Sequence, residues 1–239
     1  MAKLDLPAGP DELLEAVRKP LAHHLGGEHH MRLGGGTALA ARWRHRHSTD
    51  VDLFVDPKDY EGLFRKEQQF RADLERHAPS AQNVMIEPGF ARIVLMDGGE
   101  ISISTSPSLT SYPVSKDTVR GTRVPLEATA EILAKKLRYR MIQNAQILPR
   151  DLYDIAFARR NASVALRTAL STLKVEHLQD IDAELGYLRP GWIERHRQPL
   201  IAPLRRADAA NAVGIVRGVL QQHIRSRPPR GDRGFTWER

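Results

Sequence analysis

Two short stretches decide the fold: residues 34–39 read Gly-Gly-Gly-Thr-Ala-Leu, and residues 50–55 read Asp-Val-Asp-Leu-Phe-Val. In the first, glycines precede a helical pattern over residues 37–44, and in the second, regular alternation predicts a strand. Glycines at the start of a helix let a phosphate approach the backbone, and the free N–H groups and the helix dipole favour its charge. The two stretches therefore predict a phosphate-binding loop beside a strand that carries carboxylates.

The paired aspartates suggest a metal site. In an extended segment residues i and i+2 point to the same side, so Asp50 and Asp52 present two carboxylates to one point. Hard oxygen ligands suit Mg²⁺, with Mn²⁺ as the alternative ion, and Mg²⁺ also takes oxygens from substrate phosphates. A glycine turn or a D-x-D pair alone is usually just a turn or a solvated pair. Their combination is far more specific.

Composition sets broad limits. The chain has 239 residues, 41% of them hydrophobic, which is enough for one large domain or two small ones. It has no cysteine, so disulfides, cysteine-based zinc sites and thiol catalysis are excluded. We expect a cytoplasmic protein with no membrane partner, because the sequence lacks a signal-peptide pattern and the roughly 20 apolar residues that cross a bilayer. The net charge of +7 favours a polyanionic partner such as RNA or DNA, although GC-rich bacterial genomes commonly encode arginine-rich proteins with the same balance.

The rest of the pattern predicts a sheet followed by helices. We predict a helix that starts near Pro10 and stops at Gly26-Gly27, a helix over residues 58–77, and strands over 83–87, 91–96 and 100–105. The sequence Asp97-Gly98-Gly99 predicts a hairpin turn. Residues 106–125 predict a loop with a short strand at 122–125, and everything after a helix cap at Thr129 reads as helix. This order predicts an α/β (α+β) fold with a helical module behind the sheet.

A family resemblance rests on the same two stretches. Gly35-Gly36-Thr37-Ala38-Leu39, followed by residues 45–54 reading His-Arg-His-Ser-Thr-Asp-Val-Asp-Leu-Phe, resembles the AbiEii/MenT nucleotidyltransferase toxin family. That family belongs to the DNA polymerase β-like superfamily, and its pattern is G-G-T-A-L followed by h-R-x-S-x-D-[LIV]-D-L-F. The resemblance implies a polymerase β-like mixed sheet with flanking helices and an all-helical C-terminal domain. It implies that Asp50 and Asp52 are catalytic and bind the metal. The implied nucleotide-binding residues are Gly35, Gly36, Thr37, Arg46 and Ser48.

A second pair of motifs lies in the helical half. Residues 134–137, Ala-Lys-Lys-Leu, and residues 150–154, Arg-Asp-Leu-Tyr-Asp, are similar to the A-x-K-L and R-D-L-Y-D of the same family. A lysine on a helix can neutralise triphosphate charge, and aspartates three apart share a helix face. Without the family, a structural ion pair at a helix start is the favoured explanation of these residues. The resemblance implies that Lys136 and Asp151 are catalytic, that Lys136 also binds the nucleotide, and that Arg150 and Asp154 support them.

Two features depart from a simple match. Many polymerase β-like enzymes carry a third carboxylate on a later strand, where this chain places serines at 102 and 104 and an acid, Glu100, only at the hairpin. The identity of the general base is therefore open, with Asp151 as the substitute.

Histidines cluster along the N-terminal third, but no spacing among them matches a ligand motif on one predicted element, so we expect no zinc site there. His45 and His47 flank Arg46 and are candidates for contact with the nucleotide or RNA. The clustered histidines are His23, His24, His29, His30, His45 and His47.

The predicted organisation is a catalytic domain over residues 1–126 and a helical domain over 127–225 that contributes Lys136 and Asp151 to the cleft. Residues 226–239 are predicted to be a flexible basic tail, either an RNA-contacting arm or a solvated end. The predicted reaction is Mg²⁺-dependent transfer of a nucleoside monophosphate from an NTP to an RNA acceptor, with release of pyrophosphate. The resemblance implies the tRNA 3′ end as acceptor, growth inhibition as a toxin, and a cognate antitoxin as partner.

Two alternatives are less favoured by the sequence. A small-molecule nucleotidyltransferase acting on a cationic, aminoglycoside-like substrate should have an acidic site, and this chain is basic. A non-catalytic RNA-binding protein that keeps the fold would be free to lose the D-x-D pair, which is intact here.

Overall fold

An eight-stranded mixed sheet occupies the first half of the chain in the computed structural model, which describes residues 1–96, 98–198 and 200–227. In chain order the strands are β1 (Lys3–Leu4), β2 (Met31–Leu33), β3 (Val51–Val55), β4 (Ala81–Glu87), β5 (Phe90–Leu95), β6 (Glu100–Ser104), β7 (Val114–Val119) and β8 (Pro125–Glu127). Across the sheet they follow the order β1-β7-β8-β2-β3-β6-β5-β4. The strand that carries Asp52, with Asp50 directly before it, therefore lies inside the sheet.

β3 is the strand around which the site is built. It pairs antiparallel with β2 and parallel with β6, and its Val51, Leu53 and Val55 side chains are completely buried. This alternation buries one face of the strand and leaves the opposite face to Asp52 and Phe54. In the β3–β6 register, Asp52 lies opposite Ser102.

Helices cover the sheet and form the second half. They are α1 (Ala8–Leu25), α2 (Gly35–Trp43), α3 (Pro57–Arg65), α4 (Glu67–His77), α5 (Thr129–Lys135), a π-helical segment (Lys136–Gln143), α6 (Pro149–Asn161), α7 (Ser163–Ser171), α8 (Val175–Gly186), α9 (Trp192–Arg195), α10 (Arg206–Ala210) and α11 (Ala212–Ser226). A 3₁₀ turn, Glu28–His30, precedes β2. Helix α6 contacts α2, which brings the helical half against the glycine loop.

Much of the predicted secondary structure is confirmed. Helix α1 stops at Gly26, whose φ of 86° is left-handed, and β3 has the predicted bounds. Strands β4, β5 and β6 lie where three strands are predicted, and β5 pairs antiparallel with β6 as a hairpin requires. Of the predicted turn, Asp97 lies outside the described residues. The fold class, a mixed sheet followed by helices, is confirmed.

Four other predictions are wrong, and the first two fail because tertiary contacts override the local pattern. The single helix over residues 58–77 is two helices with a break at Lys66, and both halves pack on α1. Residues 114–119 form β7, whose mostly polar sequence is stabilised by hydrogen bonding to β1 and β8 rather than by an apolar pattern. The last strand lies at 125–127 rather than 122–125. Thr129 is the first helical residue, so Ala128 occupies the cap position.

Two further predictions concern the division of the chain and its tail. The division at residue 126 stays a prediction, and residues 228–239 of the predicted tail lie outside the described residues. Over the described ranges, no helix combines the length and apolar character needed to span a membrane.

Candidate active site

The glycine loop is packed directly against the aspartate strand. The Gly34 N–H donates a hydrogen bond to the carbonyl oxygen of Asp52 at 2.9 Å. Gly35 has a φ of +61°, and a Cβ added there would lie 1.8 Å from Oδ2 of Asp52. A Cβ at Gly36 would lie 2.3 Å from Nη2 of Arg46. Only residues without a side chain fit here, so the loop backbone lies immediately beside the Asp52 carboxylate.

Thr37 and Ser48 hold the loop in place from inside the protein. Both are buried, and their hydroxyl oxygens lie 2.8 Å apart. Thr37 also donates to the carbonyl oxygen of Asp50. These contacts fasten the start of α2 to the segment that leads into β3. The predicted contact of the two hydroxyls with a triphosphate stays a prediction.

The two metal-binding candidates lie at the start of β3 with different partners. Asp52 is half-buried, and its Oδ1 accepts a hydrogen bond from Ser102 Oγ at 2.9 Å. Asp50 precedes the strand with 39% of its side chain exposed, and its Oδ2 lies 3.4 Å from Nη1 of Arg150. Accessible carboxylates of this kind are the ligands that Mg²⁺ takes, so the donor set fits a divalent ion.

The strand beside Asp52 carries serines at the positions where a third carboxylate is looked for in the sequence. Ile101 and Ile103 of β6 are completely buried, which confirms the predicted faces of this strand. Ser102 is the direct neighbour of Asp52, whereas Glu100 pairs with Arg92 at 2.6 Å. The position of a third carboxylate is therefore occupied by a hydroxyl that hydrogen-bonds to the second aspartate.

A buried ion network lies on α6 behind the glycine loop. Asp154 is completely buried and accepts two hydrogen bonds from Arg46, at 2.7 and 2.9 Å. Its carboxylate also lies 2.7 Å from His45 Nε2 and 3.1 Å from Lys136 Nζ. Asp151, also completely buried, pairs with Lys136 through Nζ. This network joins the segment that follows α2, the π segment and α6.

The charges of the network keep both carboxylates ionised. Burial alone raises the pKa of Asp154, but the charges of Arg46 and Lys136 outweigh it and hold that pKa well below its usual value. Burial acts on Asp151 in the same direction, and the charges of Lys136 and Arg140 leave its pKa lowered. Asp151 is therefore a weak base while both cations remain in contact with it.

A cavity of about 370 Å³ opens over these elements. Asp52 and the serines of β6 line one side, and the π segment and the end of α5 line the other with positive charge. Aromatic side chains complete the wall. The cationic and aromatic lining residues are Lys135, Lys136, Arg140, Phe54, Phe90 and Tyr139. The cavity thus offers an acidic corner, a positive wall and apolar rings, which match a metal, a phosphate chain and a base.

Sequence reasoning missed a second buried ion pair at this cavity. Glu127 is 1% exposed and binds the Lys135 ammonium at 2.6 Å, and that ammonium lies 3.5 Å above the ring of Phe54. Burial raises the pKa of Glu127 to about 7, against the opposing charge of Lys135. The ion pair forms because β8 lies next to α5, and this contact could not be predicted from a local sequence pattern.

Arg140 and Ser102 were also missed as site residues. Arg140 carried a readable signal, since it follows Lys136 by four residues and shares its helix face. Its Nη1 lies 3.1 Å from Oδ2 of Asp151. Ser102 had been placed on the correct face, but its contact with Asp52 follows from the β3–β6 register.

The structure brings most predicted site residues together. Lys136 and Asp52 line the same cavity, and the glycine loop reaches it through Gly35. Arg46, Asp151 and Asp154 lie behind it. His47 is exposed, and its suggested contact with a nucleotide or RNA stays a prediction. The same suggestion for His45 is wrong, because His45 is completely buried against Tyr153 and Phe157.

The histidine clusters yield one set of ligand atoms that spans two helices. His23 and His24 of α1 meet Asp73 of α4, with one ligand atom from each residue and all of them within 4.8 Å of one another. His24 Nε2 lies 2.8 Å from the Asp73 carboxylate, which also pairs with Arg76. Asp73 lies on α4, whereas the sequence prediction considered only histidines that share one predicted element.

Comparison with known proteins identifies the family. The family model for the nucleotidyl transferase AbiEii toxin of the Type IV toxin–antitoxin system matches residues 21–214. The chain belongs to the AbiEii family. It is a nucleotidyltransferase, and the motifs at the glycine loop, at β3 and at the start of α6 all fall within the matched region.

Two solved structures are similar to this AbiEii-family protein to different degrees. JHP933 from Helicobacter pylori is 16% identical with a TM-score of 0.50, over 90% of this chain and 92% of that one. The antibiotic-resistance factor ANT(2'')-Ia is 14% identical with a TM-score of 0.42, over 73% of this chain and 91% of that one. A search among curated protein sequences finds no match. The likeness to JHP933 concerns the fold alone.

Proposed function

We propose that this AbiEii-family protein transfers a nucleoside monophosphate from an NTP to the 3′ end of an RNA, specifically tRNA, and thereby inhibits growth. The observation that carries the proposal is the cavity in which Asp52 faces the cations of the π segment. A triphosphate between them would meet carboxylates that hold a metal at one end and positive charge at the other.

Asp50 and Asp52 would hold Mg²⁺, or Mn²⁺ in its place. The ion supplies charge neutralisation on the triphosphate when bound. The chain's own part is to keep both carboxylates in position: Ser102 fixes one oxygen of Asp52, and the absence of a side chain at Gly35 leaves room for the other. Arg150, now 3.4 Å from Asp50, would move aside or contact the substrate.

The remaining residues divide between binding and support. Gly36 offers its backbone N–H at the start of α2, with Thr37 and Ser48 beside it, and Arg46 and Lys136 supply positive charge. Asp151 would assist the attacking hydroxyl. Because two cations hold it now, it acts as a base only after one of them leaves it.

The acceptor and partners follow from charge and family. A net charge of +7 favours a polyanion, and a tRNA 3′ end offers the hydroxyl that attacks the α-phosphate. A toxin of the Type IV class has an antitoxin as its counterpart, and NTPs and tRNA meet in the cytoplasm. We therefore place the reaction there, with a cognate antitoxin restraining it.

The test is labelling of total tRNA. The protein is incubated with tRNA, Mg²⁺ and each α-³²P-labelled NTP in turn, beside Asp52→Ala and the matched variant Asp180→Ala, which removes an exposed aspartate on α8. We expect label on tRNA with the wild type and with Asp180→Ala, and none with Asp52→Ala. Label on an aminoglycoside added to a parallel reaction, with none on tRNA, would identify a small-molecule acceptor instead. Tight RNA binding without labelling by any NTP would show a non-catalytic protein.

A further inference from the structure

Three cations line the positive wall of the cavity, and they differ in how exposed their side chains are and in which partners hold them. The Lys135 side chain is 8% exposed and is held by Glu127 and by the Phe54 ring. The Lys136 side chain is 4% exposed and is held by the two aspartates of α6. The Arg140 side chain is 25% exposed. Arg140 is therefore the cation of this wall that a ligand reaches most easily.

The guanidinium of Arg140 is only partly used. Its Nη1 lies 3.2 and 3.1 Å from the two oxygens of Asp151, and among the described residues these are its hydrogen-bonded contacts. A guanidinium has five N–H donors in a planar fork, so the Nε and Nη2 donors remain for a ligand. The side chain lines the same cavity as Asp52, which places those donors beside the acidic corner.

The surrounding charges fix the protonation state of Arg140. Burial lowers the pKa of Arg140, but the charges of Asp151 and Asp52 outweigh it and leave that pKa raised. The side chain is thus a permanent cation between two carboxylates. A phosphate chain in the cavity can replace Asp151 as its partner without any proton transfer.

We propose that Arg140 binds the β- and γ-phosphates of the NTP and stabilises the pyrophosphate as it leaves. The proposal rests on nucleotidyl transfer in this cavity. In that reaction the acceptor oxygen forms a bond to the α-phosphorus and gives up its proton to the general base, for which Asp151 is the proposed residue. The bond from that phosphorus to the bridging oxygen of the β-phosphate breaks. The electron pair departs with pyrophosphate, where a bidentate guanidinium neutralises the developing charge.

A second consequence concerns Asp151. When Arg140 turns to the phosphates, Asp151 keeps Lys136 as its partner but loses one of its two cations. Its carboxylate then becomes a better proton acceptor.

The test is binding that needs no acceptor. Calorimetry measures the affinity of wild type, Arg140→Ala and Arg140→Lys for inorganic pyrophosphate, for an NTP and for the matching nucleoside monophosphate. The matched control is Arg138→Ala, which removes the same charge from the same π segment, where Arg138 contacts His177 at 3.3 Å. We expect Arg140→Ala to weaken pyrophosphate and NTP binding roughly 10- to 100-fold and to leave monophosphate affinity unchanged. Arg138→Ala should bind all three ligands with the affinity of the wild type.

Several outcomes overturn the proposal. Unchanged pyrophosphate affinity in Arg140→Ala, or an equal loss for the monophosphate, refutes it. If Arg140→Ala fails to fold, Arg140→Lys keeps a cation beside Asp151 and should still show a several-fold selective loss. If the protein labels tRNA but its pyrophosphate affinity is the same with and without Arg140, the role of Arg140 is refuted and the proposed function stands. If NTP binding depends on Arg140 but no label reaches RNA, the role of Arg140 stands and the proposed RNA acceptor is refuted.

Discussion

Replacement of Gly35 by alanine tests how tightly the loop backbone is fitted to the metal-binding carboxylate. An L-residue at φ +61° is strained by about 1–2 kcal/mol. The added Cβ would lie 1.8 Å from Asp52 Oδ2, whereas ordinary contact begins at 3.4 Å, so the carboxylate or the loop must retreat by more than 1 Å. A 1 Å displacement of a catalytic group lowers rates about 100-fold.

We therefore expect Gly35→Ala to lower kcat/KM about 100-fold or more and the free energy of unfolding by about 1–3 kcal/mol. Pyrophosphate release in the presence of NTP and acceptor measures the first quantity, and urea unfolding followed by circular dichroism measures the second. A 100-fold loss of activity corresponds to about 2.7 kcal/mol, so the two losses are expected to be of similar size in free energy.

The matched control is Gly62→Ala in α3, where an added Cβ meets nothing within 4 Å. Alanine in a helix stabilises by roughly 0.5–1 kcal/mol relative to glycine, so this variant should be fully active and slightly more stable. Near-normal activity of Gly35→Ala would refute the close fit between loop and carboxylate. So would a loss of activity that Gly62→Ala shares.

Three further predictions concern the charges around the cavity. Asp154→Asn leaves the buried Arg46 guanidinium without its carboxylate and should lower the free energy of unfolding by about 3–5 kcal/mol in urea. Burial raises the pKa of Glu127 to about 7, so its stabilising effect is present below its ordinary pKa and is lost as pH rises through 7. Relative to Glu127→Gln, the wild type should lose up to about 1.4 kcal/mol of stability per pH unit between pH 5 and 7, measured by urea unfolding at each pH. Ser102→Ala removes a hydrogen bond to Asp52 and should raise the Mg²⁺ concentration for half-maximal activity roughly 3- to 10-fold.

Each of these predictions has its own control. Asp182→Asn breaks a partly exposed pair with Arg217 and should cost less than about 1 kcal/mol. A similarly small effect of Asp154→Asn would contradict the network. A stability difference between wild type and Glu127→Gln that does not change with pH would show that Glu127 is not protonated in this range. Ser108→Ala alters an exposed loop serine, and an equal effect there would remove any special role of Ser102.

Local pattern was enough to predict the elements that present the site. The alternation of Val51, Leu53 and Val55 placed β3 with the correct bounds, because a strand with one buried face repeats every two residues. The stop at Gly26 was equally readable, since a left-handed helix end favours glycine. The motif residues were recognisable because each motif is short and contiguous.

Long-range contacts decided the rest. Asp154 joins Arg46 across 108 positions of sequence, and Asp52 joins Ser102 across 50. No periodicity within a window reports such pairs, because they depend on how α6 docks on α2 and on the β3–β6 register. The polar strand β7 was missed for the same reason.

The sequence by itself determined the chemistry available to this protein: two adjacent carboxylates, a glycine loop, and lysine and aspartate motifs on helices. Only the tertiary structure decided which of those groups are free to act. It tied Lys136 to two buried aspartates and left Arg140 partly exposed to the cavity. The physical reason is that the freedom of a charged group depends on its burial and on its partners, and both arise from contacts between residues far apart in the chain.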